Sequence, residues 1–399
     1  MNLPPPALRR VVVTGYGALT PFGRGADALW TGLIGKLSAI HRVERLARLG
    51  LPVSIAATLD DAFFHQSGDA PRPYQMAFDA AGEAVRLAGW DEGILQSTAL
   101  FSAIGWEWKS LQTEENTGKT DAFFDTKKLA AELKIGGVTG ESYAACAAST
   151  MAIGEAFHLI RTGEADAALA GGADSRANEL GLLAYAKLGA LATGWEDRPE
   201  QASRPFDKKR NGFVIGEGAG FLALESLDHA RNRGAKIHAE ILSASSTMDA
   251  FRVTDPEPTG KQAARCMSLV LERAGVTAAE VSGICCHATS TPANDSAEHA
   301  AMRKVFGDRL AAIPLLAPKS NFGHLAMACG AVETVVTVLS LIHGTVPPIC
   351  LLKEPEFDLA LPNGPVKLGR LSMILKNSFG FGGQNAALLL RGWSENPIA

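Results

Sequence analysis

Three side chains in this 399-residue sequence have the types needed for nucleophilic and proton chemistry. Cys146 lies in Ser142-Tyr143-Ala144-Ala145-Cys146-Ala147-Ala148-Ser149-Thr150, directly ahead of a stretch that reads as a helix. Free N–H groups and the dipole at a helix N-terminus lower a thiol pKa and favour thiolate. The small neighbours leave room for a substrate at the sulfur. His287, in Cys286-His287-Ala288-Thr289-Ser290-Thr291, closes a strand-like run, and His324, in Lys319-Ser320-Asn321-Phe322-Gly323-His324, lies in the polar turn between a strand-like run and a small-residue helix. Neutral imidazoles placed there can donate N–H bonds to a developing oxyanion. Lys319 and Glu333 are expected to orient the histidines or tune their charge. The segment Asn377-Ser378-Phe379-Gly380-Phe381-Gly382-Gly383-Gln384-Asn385 allows a tight backbone path that presents N–H groups to a ligand. One thiol, two histidines and such a turn are the parts of acyl transfer through a thioester. Taken singly, each has a plainer reading: a cysteine packed as a small hydrophobe, a satisfied core histidine, an ion pair, a hairpin turn.

These residues need elements to position them. Apolar or β-branched runs at 11–15, 99–104, 165–172, 218–225, 237–244, 281–286, 313–317, 373–378 and 386–391 read as strands. Helical spacing marks 26–33, 74–87, 149–160, 226–233, 260–274, 295–306 and 328–342. The first run is expected to stop in a turn at Gly15. Strands and helices alternate in both halves, which implies α/β layering around buried sheets. The alternation runs through two halves, 1–234 and 235–399, which suggests a duplicated unit without an evident sequence repeat. No low-complexity linker divides them, so one compact body is expected.

Composition narrows the classes. The 38 Lys plus Arg and 42 Asp plus Glu leave a net charge of −4, against a chain built to grip nucleic acid. Six cysteines without a CxxC pair make neither a disulfide framework nor a zinc ribbon, and no metal site is expected. Reduced thiols suit a cytoplasmic setting. The N-terminus lacks the apolar core of a secretory signal, and the apolar run 335–342 is too short to span a bilayer, so no membrane insertion is expected. No nucleotide-binding signature occurs.

The ordered motifs together resemble the β-ketoacyl-acyl carrier protein synthases, the elongating condensing enzymes of fatty-acid and polyketide synthesis. They run from VVVTGYGALTPFG through the Cys146 segment, Ala170-Gly171-Gly172-Ala173, Arg204-Pro205-Phe206-Asp207 and 212–220 to HATSTPAND, KSNFGH and NSFGFGGQN. The resemblance implies a thiolase-like fold, two α/β halves forming a five-layered α-β-α-β-α body, as a homodimer or a heterodimer with a related subunit. It implies that Cys146 accepts the acyl chain from the 4'-phosphopantetheine arm of acyl carrier protein, with no other cofactor. His287 and His324 then promote decarboxylation of the malonyl group and stabilise the enolate. The N–H groups of Cys146 and Phe381 make the oxyanion hole, and Phe381 also gates the cysteine. Lys319 and Glu333 support the histidines. Thr289 and Thr291 contact pantetheine, with Phe379, Gly382 and Gly383 beside the substrate. Arg204 and Lys208, with Lys209 and Arg210, lie near the position used for docking the acidic carrier.

The sequence departs from the family pattern at Ala288, Met327 and Gln384 and at Trp106 and Trp108, and the segment from Trp106 to Cys146 is short. These changes suggest an acyl pocket reshaped for an unusual chain, as in a specialised lipid or polyketide pathway. Two rival readings remain. A thiolase would need a second cysteine in the C-terminal Gly-rich motif, which has none. A non-catalytic chain-length-factor-like subunit would be expected to lack Cys146.

Overall fold

The computed structural model describes residues 8–64, 70–105, 124–369 and 372–394. Trp106 and Trp108 lie outside them. Five strands form one set: Val11–Thr20 (β1), Ala99–Ile104 (β2), Thr139–Glu141 (β3), Ala167–Ser175 (β4) and Glu217–Ser226 (β5). A second set comprises Ala239–Met248 (β6), Val281–Cys285 (β7), Leu315–Leu316 (β8), Met373–Gly380 (β9) and Gln384–Gly392 (β10). With a short Gly23–Arg24 strand paired to β1 they make one eleven-stranded sheet, in the order β8-β7-β9-β10-β6-β1-β5-β4-β2-β3. Each set follows the same plan. Its first strand is antiparallel to its fifth, the fifth antiparallel to the fourth, the fourth parallel to the second, and the second parallel to the third. The sets join where Val11, Val12 and Val13 pair with Ile241, Glu240 and Ala239.

Helices complete the layers: Arg72–Ala88 (α1), Ala148–Thr162 (α2), Lys261–Ala274 (α3), Pro292–Phe306 (α4) and Cys329–Ile342 (α5). The central layer is α2 against α5, each touching strands of both sets. On one outer face α1 covers β1, β4 and β5, and on the other α3 covers β6 and β10 with α4 beside it. The result is the α-β-α-β-α body of a thiolase-like fold. The burial patterns explain the layering. α1 is amphipathic and buries Met76, Ala77, Ala80, Ala81 and Ala84 on one side. α5 is buried nearly all round, and each fully covered Val or Leu contributes up to about 1.5–3 kcal/mol. Its buried Thr334, Thr337 and Ser340 stay satisfied by donating to the carbonyls of Gly330, Glu333 and Val336, four residues back (2.6–2.8 Å).

One expectation fails instructively. β1 does not stop at Gly15 but continues to Thr20. Gly15 and Gly17 are there because α1 lies directly on the strand. A Cβ at either would come 2.2 Å from Ala84 O or 2.1 Å from Ala80 O. Glycine inside a strand here marks backbone contact rather than a turn. Among the described residues, no helix is long and apolar enough to cross a membrane.

Candidate active site

Cys146 sits in a single 3-10 turn, Ala145–Ala147, that leads into α2. Ala145 holds the left-handed conformation (φ 47°), which costs a non-glycine residue energy and turns the chain sharply. The turn is clamped from the other half of the molecule. Ser149 donates to Met327 O (2.6 Å) and accepts from Ala331 N–H (2.9 Å), and the hydroxyls of Thr150 and Ser378 bond at 2.8 Å. Gly380, ending β9, lies so close that a Cβ there would be 2.6 Å from Ala144 O. The following N–H, that of Phe381, donates to the Cys146 thiol.

The thiol differs from the expectation of a lowered pKa. Burial pushes Cys146 up to about 12, and Asp174 adds to the rise, against the opposing pull of Lys319 and the Phe381 N–H. The resting sulfur is therefore protonated. Desolvation in this crowded turn outweighs what the following helix and nearby cation offer.

His324 is held by backbone exchange with the first half: its N–H donates to Val214 O (2.7 Å) and its carbonyl accepts from Gly216 N–H (2.9 Å). Its Nδ1 accepts from Ala326 N–H at 3.0 Å, so that nitrogen carries no proton. Cys329 Sγ, 3.0 Å from the same nitrogen, must then be a second donor. The ring proton of neutral His324 is on Nε2. His287 reaches the same tautomer by another route, because Lys319 Nζ lies 3.4 Å from its Nδ1. The two rings stand edge to face, 5.5 Å between centroids. Burial, and next the Lys319 charge, hold both well below the ordinary histidine range. Both are neutral N–H donors, as the sequence suggests.

Behind the histidines lies a buried charge cluster. Lys319 pairs with Glu333 and donates to His287 O (2.6 Å). Burial opposes its charge, but Glu333 raises it above the ordinary lysine value. The second oxygen of Glu333 takes Lys376, 3.1 Å away. Lys376 also donates to Asn377 O (2.8 Å) and to the Ser378 hydroxyl. One carboxylate thus faces two lysines, leaving one net positive charge near the thiol. On the other side Glu298 accepts the N–H groups of His287 and Ala288, both at 2.7 Å, and burial lifts its carboxyl to about 7.

A cavity of about 250 Å³ brings together Cys146, His287, Thr289, Thr291, His324, Phe379 and Phe381. The hydroxyls of Thr289 and Thr291 bond to each other at 2.9 Å. Lys319 and Glu333 lie behind this wall. Gly382 and Gly383 do not line it: their left-handed turn is tied back by Gly382 N–H to Val253 O (2.6 Å) and Asp249 N–H to Gly383 O (2.8 Å). Arg204 is also misplaced by the sequence reading. It is 2% exposed, donates to Gln201 O (3.1 Å) and packs over Trp195, so no partner can reach it. Arg210 is likewise buried, against Asp295 and Glu356, whereas Lys208 and Lys209 are exposed. Pairing of the two arginines with internal carboxylates, while the two lysines face outward, explains that Arg-Lys pattern.

Sequence reasoning missed Lys376, Cys329, Glu298 and the part-buried Asp174–Arg176 pair (2.9 Å). A lysine inside the apolar run Met373-Ile374-Leu375-Lys376 was a visible signal. The positions of the others emerge only on folding. Among the described residues, no group of three or more His, Cys, Asp or Glu could hold a metal ion.

Comparison with known proteins agrees with this geometry. Family models described as "Beta-ketoacyl synthase, N-terminal domain" and "Beta-ketoacyl synthase, C-terminal domain" match residues 8–230 and 238–353. A 3-oxoacyl-[acyl-carrier-protein] synthase 2 of Rhizobium meliloti is 36% identical, covering 96% of this chain and 99% of its own. That of Coxiella burnetii is 34% identical over 96% and 98%. Among solved structures, "the ishigamide ketosynthase/chain length factor" superposes with TM-score 0.86 at 33% identity, covering 97% of this chain and all of that one. A type II PKS acyl-carrier protein in complex with its ketosynthase bound to the hexaketide gives TM-score 0.87 at 28% identity, with 97% and 100% covered.

Proposed function

This chain belongs to the β-ketoacyl synthase family and is a condensing acyltransferase, and on that premise we propose how its residues divide the reaction. The overall chemistry joins an acyl chain to malonyl-acyl carrier protein, giving β-ketoacyl-acyl carrier protein and CO2. The observation that carries the division of labour is the convergence of Cys146 with two neutral Nε2–H histidines on one cavity.

In the first half-reaction Cys146 Sγ bonds to the acyl carbon and the carbon–sulfur bond to the carrier arm breaks. The Cys146 proton ends on the released arm thiol. A resting thiol is compatible with this exchange, since Lys319 and the Phe381 N–H stabilise the sulfur as it loses its proton. The N–H groups of Cys146 and Phe381 take the carbonyl oxygen as it gains charge.

In the second, the malonyl carboxylate leaves as CO2 and its electron pair becomes an enolate. Nε2–H of His287 and of His324 donate to that enolate oxygen. Neither nitrogen can act as a base in this tautomer, and none is needed, because decarboxylation supplies the carbanion. The carbanion attacks the Cys146 thioester, collapse expels the sulfur, and the sulfur takes up one proton from solvent to restore the resting thiol. Lys319 beside His287 keeps the ring neutral. Thr289 and Thr291 contact the arm at the cavity wall, and Lys208 meets the acidic carrier. The arm arrives with the substrate, and the reaction draws on no other cofactor. The enzyme works as a dimer in the cytoplasm, a reading supported by the paired subunits named for one structural relative and by six free cysteines.

The test is incubation with acyl- and malonyl-acyl carrier protein. Wild type forms an acyl-enzyme that Cys146→Ala abolishes. No such adduct on wild type would favour a non-catalytic subunit.

A further inference from the structure

Tyr185, on the Glu179–Lys187 helix, forms part of the wall of the Cys146 cavity. Its ring packs edge-on against Phe213, 5.2 Å between centroids, and Phe213 lies 5.0 Å from the His324 ring. The phenol therefore sits one aromatic layer from the histidines. Its hydroxyl has no hydrogen-bond partner among the described residues. Beside it stands the Asp174–Arg176 pair. Arg176 Nε bonds Asp174 Oδ1 at 2.9 Å, and Asp174 Oδ2 accepts Met327 N–H at 3.2 Å. The remaining guanidinium N–H groups of Arg176 have no partner among the described residues. Tyr185, Arg176 and Cys146 lie within electrostatic reach of one another.

A saturated acyl chain makes no use of these donors. Phenylalanine would pack on Phe213 equally well. Tyr185 is half-buried, so water can meet its hydroxyl in the cavity before substrate binds. A saturated chain lying over it would displace that water and leave the donor unmet, whereas an oxygen on the substrate would accept it. Burial raises the Tyr185 pKa, so the hydroxyl stays a donor at all working pH values. Arg176 is already neutralised by Asp174, so a substrate carboxylate would bring an uncompensated buried charge. A neutral carbonyl, hydroxyl or ether oxygen suits the site better.

Building on the condensing role above, we propose that Tyr185 is a specificity-determining residue: its hydroxyl donates to a neutral oxygen of the acyl chain carried by Cys146, so oxygen-bearing chains are elongated in preference to saturated ones of equal length. The experiment offers the enzyme two acyl-carrier proteins of equal chain length, one saturated and one bearing a ketone, and measures kcat/KM for acylation of Cys146 by intact mass. Wild type favours the ketone by about tenfold, the value of one good hydrogen bond. Tyr185→Phe brings the ratio close to one. A residue with a merely structural role would scale both substrates together and leave the ratio intact. A wild-type ratio at or below one, or an unchanged ratio in the variant, overturns the proposal. Acylation by neither substrate overturns the condensing role itself and this inference with it, which separates that failure from a loss of selectivity.

Discussion

Cys329 donates its thiol proton to Nδ1 of His324 across 3.0 Å, while its sulfur accepts Leu325 N–H at 3.1 Å. The thiol is thus a donor relay behind one imidazole of the site. Together with Ala326 N–H it occupies the Nδ1 lone pair and keeps the ring proton on Nε2. In Cys329→Ala the Nδ1 lone pair loses one donor and becomes more basic. The expected result is a kcat lower by about three- to tenfold, with the acid limb of the pH–rate profile displaced to higher pH. Cys329→Ser keeps a donor and restores both. Identical behaviour of the two variants would remove this role from the thiol.

Glu333 binds two buried lysines at once. Glu333→Gln leaves Lys319 and Lys376 as uncompensated interior cations, and stability should fall by about 3–5 kcal/mol. Lys209→Ala, which removes an exposed partner of Glu354, should change it by no more than about 0.5 kcal/mol. Urea unfolding of both variants checks the contrast.

The pH dependence of stability follows from Glu298. Its carboxyl is raised by burial from 4.5 to about 7 in the folded chain. Between those values the folded state binds more protons than the unfolded one, so stability falls as pH rises. This contribution is full below pH 4.5 and is lost as pH rises through about 7. Glu298→Gln should flatten that part of the curve. Thermal melts of variant and wild type across about pH 3.5–8, about one unit beyond each limit, measure the difference.

Gly380→Ala puts a methyl group 2.6 Å from Ala144 O, where backbone must move to admit it. The Phe381 N–H would then be displaced from the sulfur. A shift of about 1 Å can cost roughly 10²-fold, so kcat/KM should fall by about that factor. Malonyl decarboxylation, which relies on His287 and His324, should fall less. Equal loss in both assays would mean that the loop serves the histidines too.

Residue type and local pattern were enough to mark Cys146, His287 and His324, because each follows a short buried strand or precedes a helix that announces itself within about ten residues. The same locality made the α/β alternation legible. Locality also misled. Glycines at 15 and 17 signal a turn when seen alone and a helix contact when α1 is in place. Basic residues at 204 and 210 suggest a docking patch until the fold covers them with Trp195 and pairs them with Asp207, Asp295 and Glu356. The protonated thiol, the shared Nε2–H tautomer and the two-lysine carboxylate have the same origin. They depend on desolvation and on partners brought from both strand sets, and those quantities exist only after the chain has closed on itself.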